Sequence, residues 1–371
     1  MLGPRTPASE APKPLLDWAA MRGRGVVFAG AERAELEEVR VEPSELAAGE
    51  ALVRAEYSVI SAGTEGSFYT NLMPRTPPVY HSRPVIYPAR TGYGHLGKVV
   101  ALGPEVKGLD VGQRVLSFSR HASIVRCNAR RFAMPVAEEV DGKRAVFTRM
   151  AGVAISALRA SSAGAGDKVA VIGLGLVGNF AAQIFQLAGC EVLAFDVAER
   201  RLELAPECGI RNVRNAAKED PIEVTRGWAG ASDDRGGARI VVEAIGRSEL
   251  CAQAVEMCGK GGEVVLLGSP RAPYQGDLTP MLARTHLLGI KIIGALEWLW
   301  PIPPETERAR HTIWENYQQI LGWILEGRLV VDPLRTHVLA PEKCQEAYAG
   351  LTHKKDEYLG VVFDWTKEAV Q

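Results

Sequence analysis

Three glycines and one acid carry the sharpest chemical signal in the chain. Gly173, Gly175 and Gly178 follow an apolar run at residues 169–172, and Asp196 closes a second run at 192–195. A G-x-G-x-x-G turn between two such runs, with an acid 23 residues after its first glycine, is the pattern that binds a dinucleotide. Each glycine has its own task. Gly173 turns the chain out of the strand, Gly175 lets backbone N–H groups approach a pyrophosphate, and Gly178 lets helix and strand pack closely. Leu176 and Val177 would open the helix, where unpaired N–H groups and the helix dipole favour an anion. Asp196 would hydrogen-bond the adenosine ribose hydroxyls and repel a 2′-phosphate, which favours NAD(H) over NADP(H). Arg200 and Arg201, just downstream, soften that repulsion.

The elements that must hold these residues can be read around them. After Gly178 helical and strand-like segments alternate, and the apolar runs at 192–195, 239–243, 263–267 and 290–293 suit buried parallel strands. Pro206 falls within the second helix and predicts a short or bent one. The stretch Glu243-Ala244-Ile245-Gly246 ends a strand where the carboxyl edge of the sheet would face the cofactor. Upstream, residues 25–28, 35–41 and 50–58 alternate apolar with polar between Gly and Pro punctuation, which predicts a compact antiparallel β domain. Residues 57–65, YSVISAGTE, leave a strand and enter a short helix with Thr64 or Glu65 near its start. Residues 74–88 are proline-rich and predict an irregular surface loop. Beyond Pro301 the alternation stops, and a helical segment at 308–325 and a strand-like one at 357–364 close the chain.

Length and composition narrow the function classes. A chain of 371 residues accommodates two domains, and a net charge of −1 offers no bulk attraction to nucleic acid or an acidic membrane. None of the six cysteines forms a CxxC pair, so neither a disulfide framework nor a zinc ribbon is suggested. No apolar run approaches the ~20 residues that span a bilayer. Residues 1–20 lack the apolar core of a secretory signal and read as a flexible leader. The expectation is a soluble, cytoplasmic protein acting on a small molecule, with no nucleic-acid or membrane partner.

The segments ISAGTE, GYGHLGKVVALG and VGQRV, followed by GLGLVG and its terminal Asp196, together resemble the medium-chain dehydrogenase/reductase superfamily. The resemblance runs from about Met21 to the C-terminus. It implies an α/β chain: a GroES-like β-rich catalytic domain (21–150 and 303–371) with an inserted Rossmann domain (151–302), a doubly wound parallel sheet. It also implies a homodimer, since members commonly join sheets edge to edge, here through residues 291–295. The Gly268-Ser269-Pro270-Arg271 turn resembles the loop beside the nicotinamide ribose, with Arg271 a phosphate or substrate contact or a solvated surface residue. Residues 294–303, GALEWLWPIP, would lie at the nicotinamide end of the cleft. There Trp298 and Trp300 would wall a substrate pocket with Glu297 as a polar contact, or pack at a domain or subunit interface.

Zinc-dependent members of the superfamily place a Cys, then a Gly-His-Glu segment, then a further Cys or acid near the domain junction. This chain has Ala62, then Gly92-Tyr93-Gly94, and residues 148–153 contain no Cys. Alanine and glycine ligate nothing and tyrosine is a poor zinc ligand, so the reading is a site without metal. The proton then has to come from polar residues around the emptied position. Thr64 matches the family's Ser/Thr that hydrogen-bonds the substrate oxygen, Glu65 matches the acid behind the ligands, and Tyr93 stands at the metal-binding His. A phenol can donate to an alkoxide if a neighbour lowers its pKa, whereas Glu65 alone would raise it. His95, on a strand, would share the face of Tyr93 and serve as hydrogen-bond partner or base. His81 and His121 stand near loops that would border the cleft. Each has a plainer reading: Thr64 and Glu65 as helix caps, Tyr93 as a packing aromatic, His95 as a structural histidine.

Together these features predict a zinc-independent NAD(H) oxidoreductase that interconverts a secondary alcohol and a ketone. ISAGTE and the closing THKKDEYLGVVFDW resemble the subgroup of bacteriochlorophyllide hydroxyethyl dehydrogenases and dehydrogenases of sugar or cyclitol pathways. The alternatives are a quinone or enoyl C=C reductase, which would favour NADPH, and a non-catalytic nucleotide-binding protein.

Overall fold

The computed structural model describes residues 20–72, 85–270, 274–302, 310–368 and 370. The leader up to residue 19, His81, Arg271 and most of the proline-rich loop lie outside the described residues.

Apolar runs become the strands of a six-stranded, wholly parallel sheet. Its order is Val213–Asn215, Glu191–Asp196, Lys168–Ile172, Ala238–Glu243, Cys258–Leu266 and Lys291–Gly294. The chain starts in the middle, winds outward one way, returns, and winds outward the other way. The carboxyl end of Lys168–Ile172 is therefore the switch point at which such sheets bind ligands. Both neighbouring strands register on its last residue, with Phe195 and Glu243 opposite Ile172. The helix Leu176–Leu187 leaves from this point and buries Phe180, Ile184 and Phe185. Each such side chain contributes roughly 1.5–3 kcal/mol of burial. The helix Glu199–Glu207 is short, as its proline predicts: Pro206 lies in its last turn, and the helix ends at Cys208.

The remaining strands form a mixed sheet that draws on both ends of the chain. Glu50–Val59 pairs antiparallel with His95–Leu102, Ile124–Asn128 and Val361–Asp364, and His337–Leu339 joins in parallel. Arg114–Ser117 and Ala133–Pro135 extend it beyond His95–Leu102. A hairpin of Met21–Gly30 and Arg33–Val41 lies beside it. The helix expected from residue 308 is seen at Ile313–Leu325. Thr312 is extended, its hydroxyl accepts the Glu315 N–H, and the Glu315 carboxylate answers at the Thr312 N–H, so this capping box sets the start. One apolar cluster, including Val59, Leu96, Phe147, Met150, Phe180, Tyr317 and Val362, runs from the mixed sheet into the parallel one. The cleft is therefore built over shared core.

Candidate active site

At the glycine turn the backbone has the shape a dinucleotide needs. Gly173 has φ +99° and its amide donates to the Phe195 carbonyl at 2.7 Å. A Cβ on Gly178 would stand 2.0 Å from the Gly173 carbonyl oxygen, so helix and turn touch there. A Cβ on Gly175 would meet only the Arg201 Nη1, at 3.9 Å. The space in front of the helix start, where Leu176, Val177 and Gly178 begin the first turn, is thus open to a pyrophosphate. Asp196 is buried and accepts from the Leu174 amide at 2.7 Å and from those of Val197 and Ala198 at 2.8 and 2.9 Å. Arg201 reaches its carboxylate at 3.4 Å, and the buried Arg201 Nε has no partner among the described residues. Ala244 donates to the Ile172 carbonyl. Beyond it Gly246 presses against Ser269 so closely that an added Cβ would lie 2.3 Å from the Ser269 carbonyl oxygen. The turns holding Ala244 and Gly268-Ser269-Pro270 therefore interlock along one rim of the sheet's carboxyl edge.

Across from that edge the helix Ala62–Tyr69 opens at Ser61. Glu65 is fully buried and does cap this helix, its carboxylate accepting the Ser61 N–H at 2.8 Å. Its other oxygen takes the Tyr348 hydroxyl at 2.6 Å and contacts His121 Nε2 at 2.9 Å, while His121 Nδ1 contacts Ser58 Oγ at 2.7 Å. Glu65 and His121 thus brace the helix from behind. The Tyr93 hydroxyl donates to Ser61 Oγ. Burial raises the pKa of this phenol; the Arg149 guanidinium and the Ser61 and Thr64 hydroxyls pull against that, and Glu65 adds to it. Ala62 and Gly63, at the emptied ligand position, are exposed.

His95 differs from expectation. Tyr93 precedes the strand His95–Leu102 and is outside its alternation, so the two do not share a face. A Cβ on Gly94 would point at Val59 and Arg149, and His95, the next residue, turns the other way toward His121. Among the described residues neither ring nitrogen has a well-aligned hydrogen-bond partner, and burial pushes the ring down to about 3 although the approach of the Ala122 backbone works the other way. A ring that weakly basic stays neutral and does not fit the role of base at neutral pH.

The residue that sequence reasoning passed over is Arg149. It begins the helix Thr148–Ala160 at the domain junction and is 1% exposed. Its Nε donates to the Tyr93 carbonyl at 3.0 Å, and Nη1 donates to Glu297 Oε1 at 2.7 Å and to the Tyr317 hydroxyl. The guanidinium carbon lies 4.5 Å from the Tyr93 ring, 4.8 Å from Phe118, 5.4 Å from Trp298 and 5.9 Å from Tyr317. Burial disfavours its charge, but Glu297 and the surrounding phenols outweigh that and hold it cationic. Removing either partner of such a buried pair costs about 3–5 kcal/mol. Glu297 lies three residues past the end of the last parallel strand, Lys291–Gly294, so the pair joins the sheet's carboxyl edge to Tyr93. Trp298 is 43% exposed with its ring edge-on to Phe118 at 5.3 Å, whereas Trp300 is only partly exposed, with a buried Nε1 that has no partner among the described residues. The available signal was a cation in the first turn of a helix whose middle is apolar, in the segment read only for missing metal ligands. Among the described residues no group of three His, Cys, Asp or Glu side chains is placed to hold a metal ion.

Comparison with known proteins agrees with this architecture. The structure superposes on a putative zinc-binding dehydrogenase from Sinorhizobium meliloti, bound to NADP, with a TM-score of 0.73 at 18% identity, over 94% of this chain and 100% of that one. The chain has the α/β two-domain fold of that dehydrogenase. Residues 177–299 match the zinc-binding dehydrogenase family. An L-threonine 3-dehydrogenase from Bacillus licheniformis is 28% identical over 185 residues, 50% of this chain and 48% of that protein. That match spans about half the length of the relative. A second L-threonine 3-dehydrogenase, from Deinococcus deserti, is 24% identical over 314 residues, 76% of this chain and 83% of that one.

Proposed function

We propose that the chain is a zinc-independent, NAD(H)-dependent oxidoreductase interconverting a secondary alcohol and a ketone, on a sugar, cyclitol or other natural-product intermediate. The observation that carries this reading is the composition of the emptied ligand site. Ala62, Tyr93 and Gly94 offer no adequate zinc donor set, and a cation, Arg149, lies against Tyr93 and Gly94. Zinc does not fit these residues. The relatives are named for alcohol oxidation, which supports the reaction class. A nicotinamide cofactor suits the open turn at Gly175 and is bound, as NADP, in the Sinorhizobium protein. When bound it supplies or takes the hydride. For this chain NAD(H) is the better partner, because the buried Asp196 carboxylate repels a 2′-phosphate, an effect that Arg201 reduces. Tyr93, held by Ser61, is the proton donor and acceptor, and Glu297 and Trp298 border the substrate.

A homodimer belongs to the same reading. Lys291–Gly294 is the outermost parallel strand, with one edge unpaired among the described residues, and Ile292, Leu287, Leu296 and Leu299 on it and beside it in sequence are exposed. No helix among the described residues is long and apolar enough to cross a membrane.

The test follows nicotinamide absorbance with NADH and NADPH against ketones, quinones and polyols, with and without chelator. Oxidation or reduction of a polyol–ketone pair that survives chelation, with well under one zinc per chain, is the expected result. Activity confined to NADPH and a quinone or enoyl substrate, or activity abolished by chelation and restored by zinc, overturns it.

A further inference from the structure

We propose that Arg149 is the electrophile of this site: its guanidinium, through Nη2, holds the substrate oxygen on the carbon that exchanges hydride, where a metal ion would otherwise act. This rests on the alcohol–ketone reading above. Two independent observations support it. The Arg149 side chain occupies the room that Gly94 leaves, since an added Cβ there would lie 3.0 Å from Arg149 Cγ, and the guanidinium covers the face of Tyr93. Two polar atoms of the buried pair also remain unused. Nε and Nη1 of Arg149 are bonded, but Nη2 makes no hydrogen bond to the described residues. The buried Glu297 Oε2 likewise has no partner. One donor and one acceptor left open beside a phenol, at the carboxyl edge of the sheet, suit a hydroxyl-bearing ligand.

In the direction of reduction, a bound reduced nicotinamide would supply the hydride, losing its C–H bond as one forms at the carbonyl carbon. The C=O π pair moves to oxygen, where the guanidinium stabilises the negative charge. The oxygen then takes the Tyr93 hydroxyl proton, which Tyr93 regains from solvent; the ketone is reduced and the dihydronicotinamide oxidised.

Acetate is a direct probe, because a carboxylate oxygen stands in for the alkoxide. Calorimetry on the unmutated, NAD-saturated protein should show acetate binding. Arg149→Lys keeps the charge against Glu297 but loses the planar fork, so acetate should bind at least about tenfold more weakly while NADH affinity is unchanged. Turnover of Arg149→Lys should fall about a hundredfold with a larger isotope effect from deuterated NADH, the scale of losing one oxyanion donor. In Arg149→Ala, free guanidinium at tens of millimolar, roughly, should restore part of that turnover, which a packing role does not predict. Absence of acetate binding to the unmutated protein overturns the proposal, and that result needs no variant to fold. Equal acetate affinity, or turnover within about threefold, in folded Arg149→Lys does the same. If acetate binding depends on Arg149 but no alcohol–ketone pair turns over in the unmutated protein, it is the functional reading that fails while the guanidinium site stands.

Discussion

At the scale of single residues, the site turns on how burial treats two rings, Tyr93 and His95, that stand only two residues apart in sequence. Tyr93 keeps a cation at its face and a hydroxyl at its oxygen, both of which favour giving up a proton when charge develops nearby. Tyr93→Phe should lower turnover by about two or more orders of magnitude with NADH affinity unchanged, measured by steady-state kinetics and fluorescence titration. His95 has no such support. Its ring falls from an ordinary 6.5 to about 3 on folding, chiefly through burial. Below 6.5 the unfolded chain binds a proton that the folded chain refuses, so this residue's contribution to stability is present above 6.5 and is lost as pH falls toward 3. Denaturant titrations of the unmutated protein and His95→Leu across that range should show a shallower decline in the variant. An equally steep decline assigns the acid sensitivity elsewhere.

At the scale of elements, the strand Lys168–Ile172, the turn and the helix Leu176–Leu187 work as one rigid unit because Gly178 leaves no gap against Gly173. Gly178→Ala has to move the helix away from the turn, at a cost of about 1–3 kcal/mol. The melting temperature should drop and NADH affinity should weaken together, because the same displacement shifts the helix start. A variant that melts early yet binds NADH normally would show that the turn tolerates the shift. These elements were also the most legible in the sequence. Apolar runs bounded by glycine predict buried parallel strands with little ambiguity, and Pro206 marks the last turn of its helix. The helix after Pro301 was placed too early because helical periodicity alone does not mark a start. The Thr312–Glu315 capping box does, through hydrogen bonds that leave residue 312 extended.

At the scale of the whole molecule, two bodies of sheet share one core, and the Arg149–Glu297 pair crosses between them at the cleft. The segments flanking the outer strand Lys291–Gly294 leave apolar side chains in water, with Leu287 74% and Leu299 67% exposed. Ile292→Lys, on that strand, should shift the protein from dimer to monomer in sedimentation velocity while leaving its circular dichroism unchanged. A monomeric unmutated protein would remove the basis for a paired edge.

The dinucleotide turn, the strand order's ingredients and the missing metal ligands depend on local spacing and on side-chain chemistry, and the sequence by itself determined them. Glycine permits a positive φ wherever it stands, and alanine cannot ligate a metal in any fold. The cluster around Arg149 was another matter. Arg149 and Glu297 are 148 residues apart, and Arg149 and Tyr93 are 56 apart. Their meeting depends on how the two sheets pack and on which charges the core can enclose only as a pair. Likewise His95 is a plausible base as a residue type, and only its enclosure, away from Tyr93 and from water, makes it a neutral one. Those decisions are long-range and dielectric, so the tertiary structure alone made them.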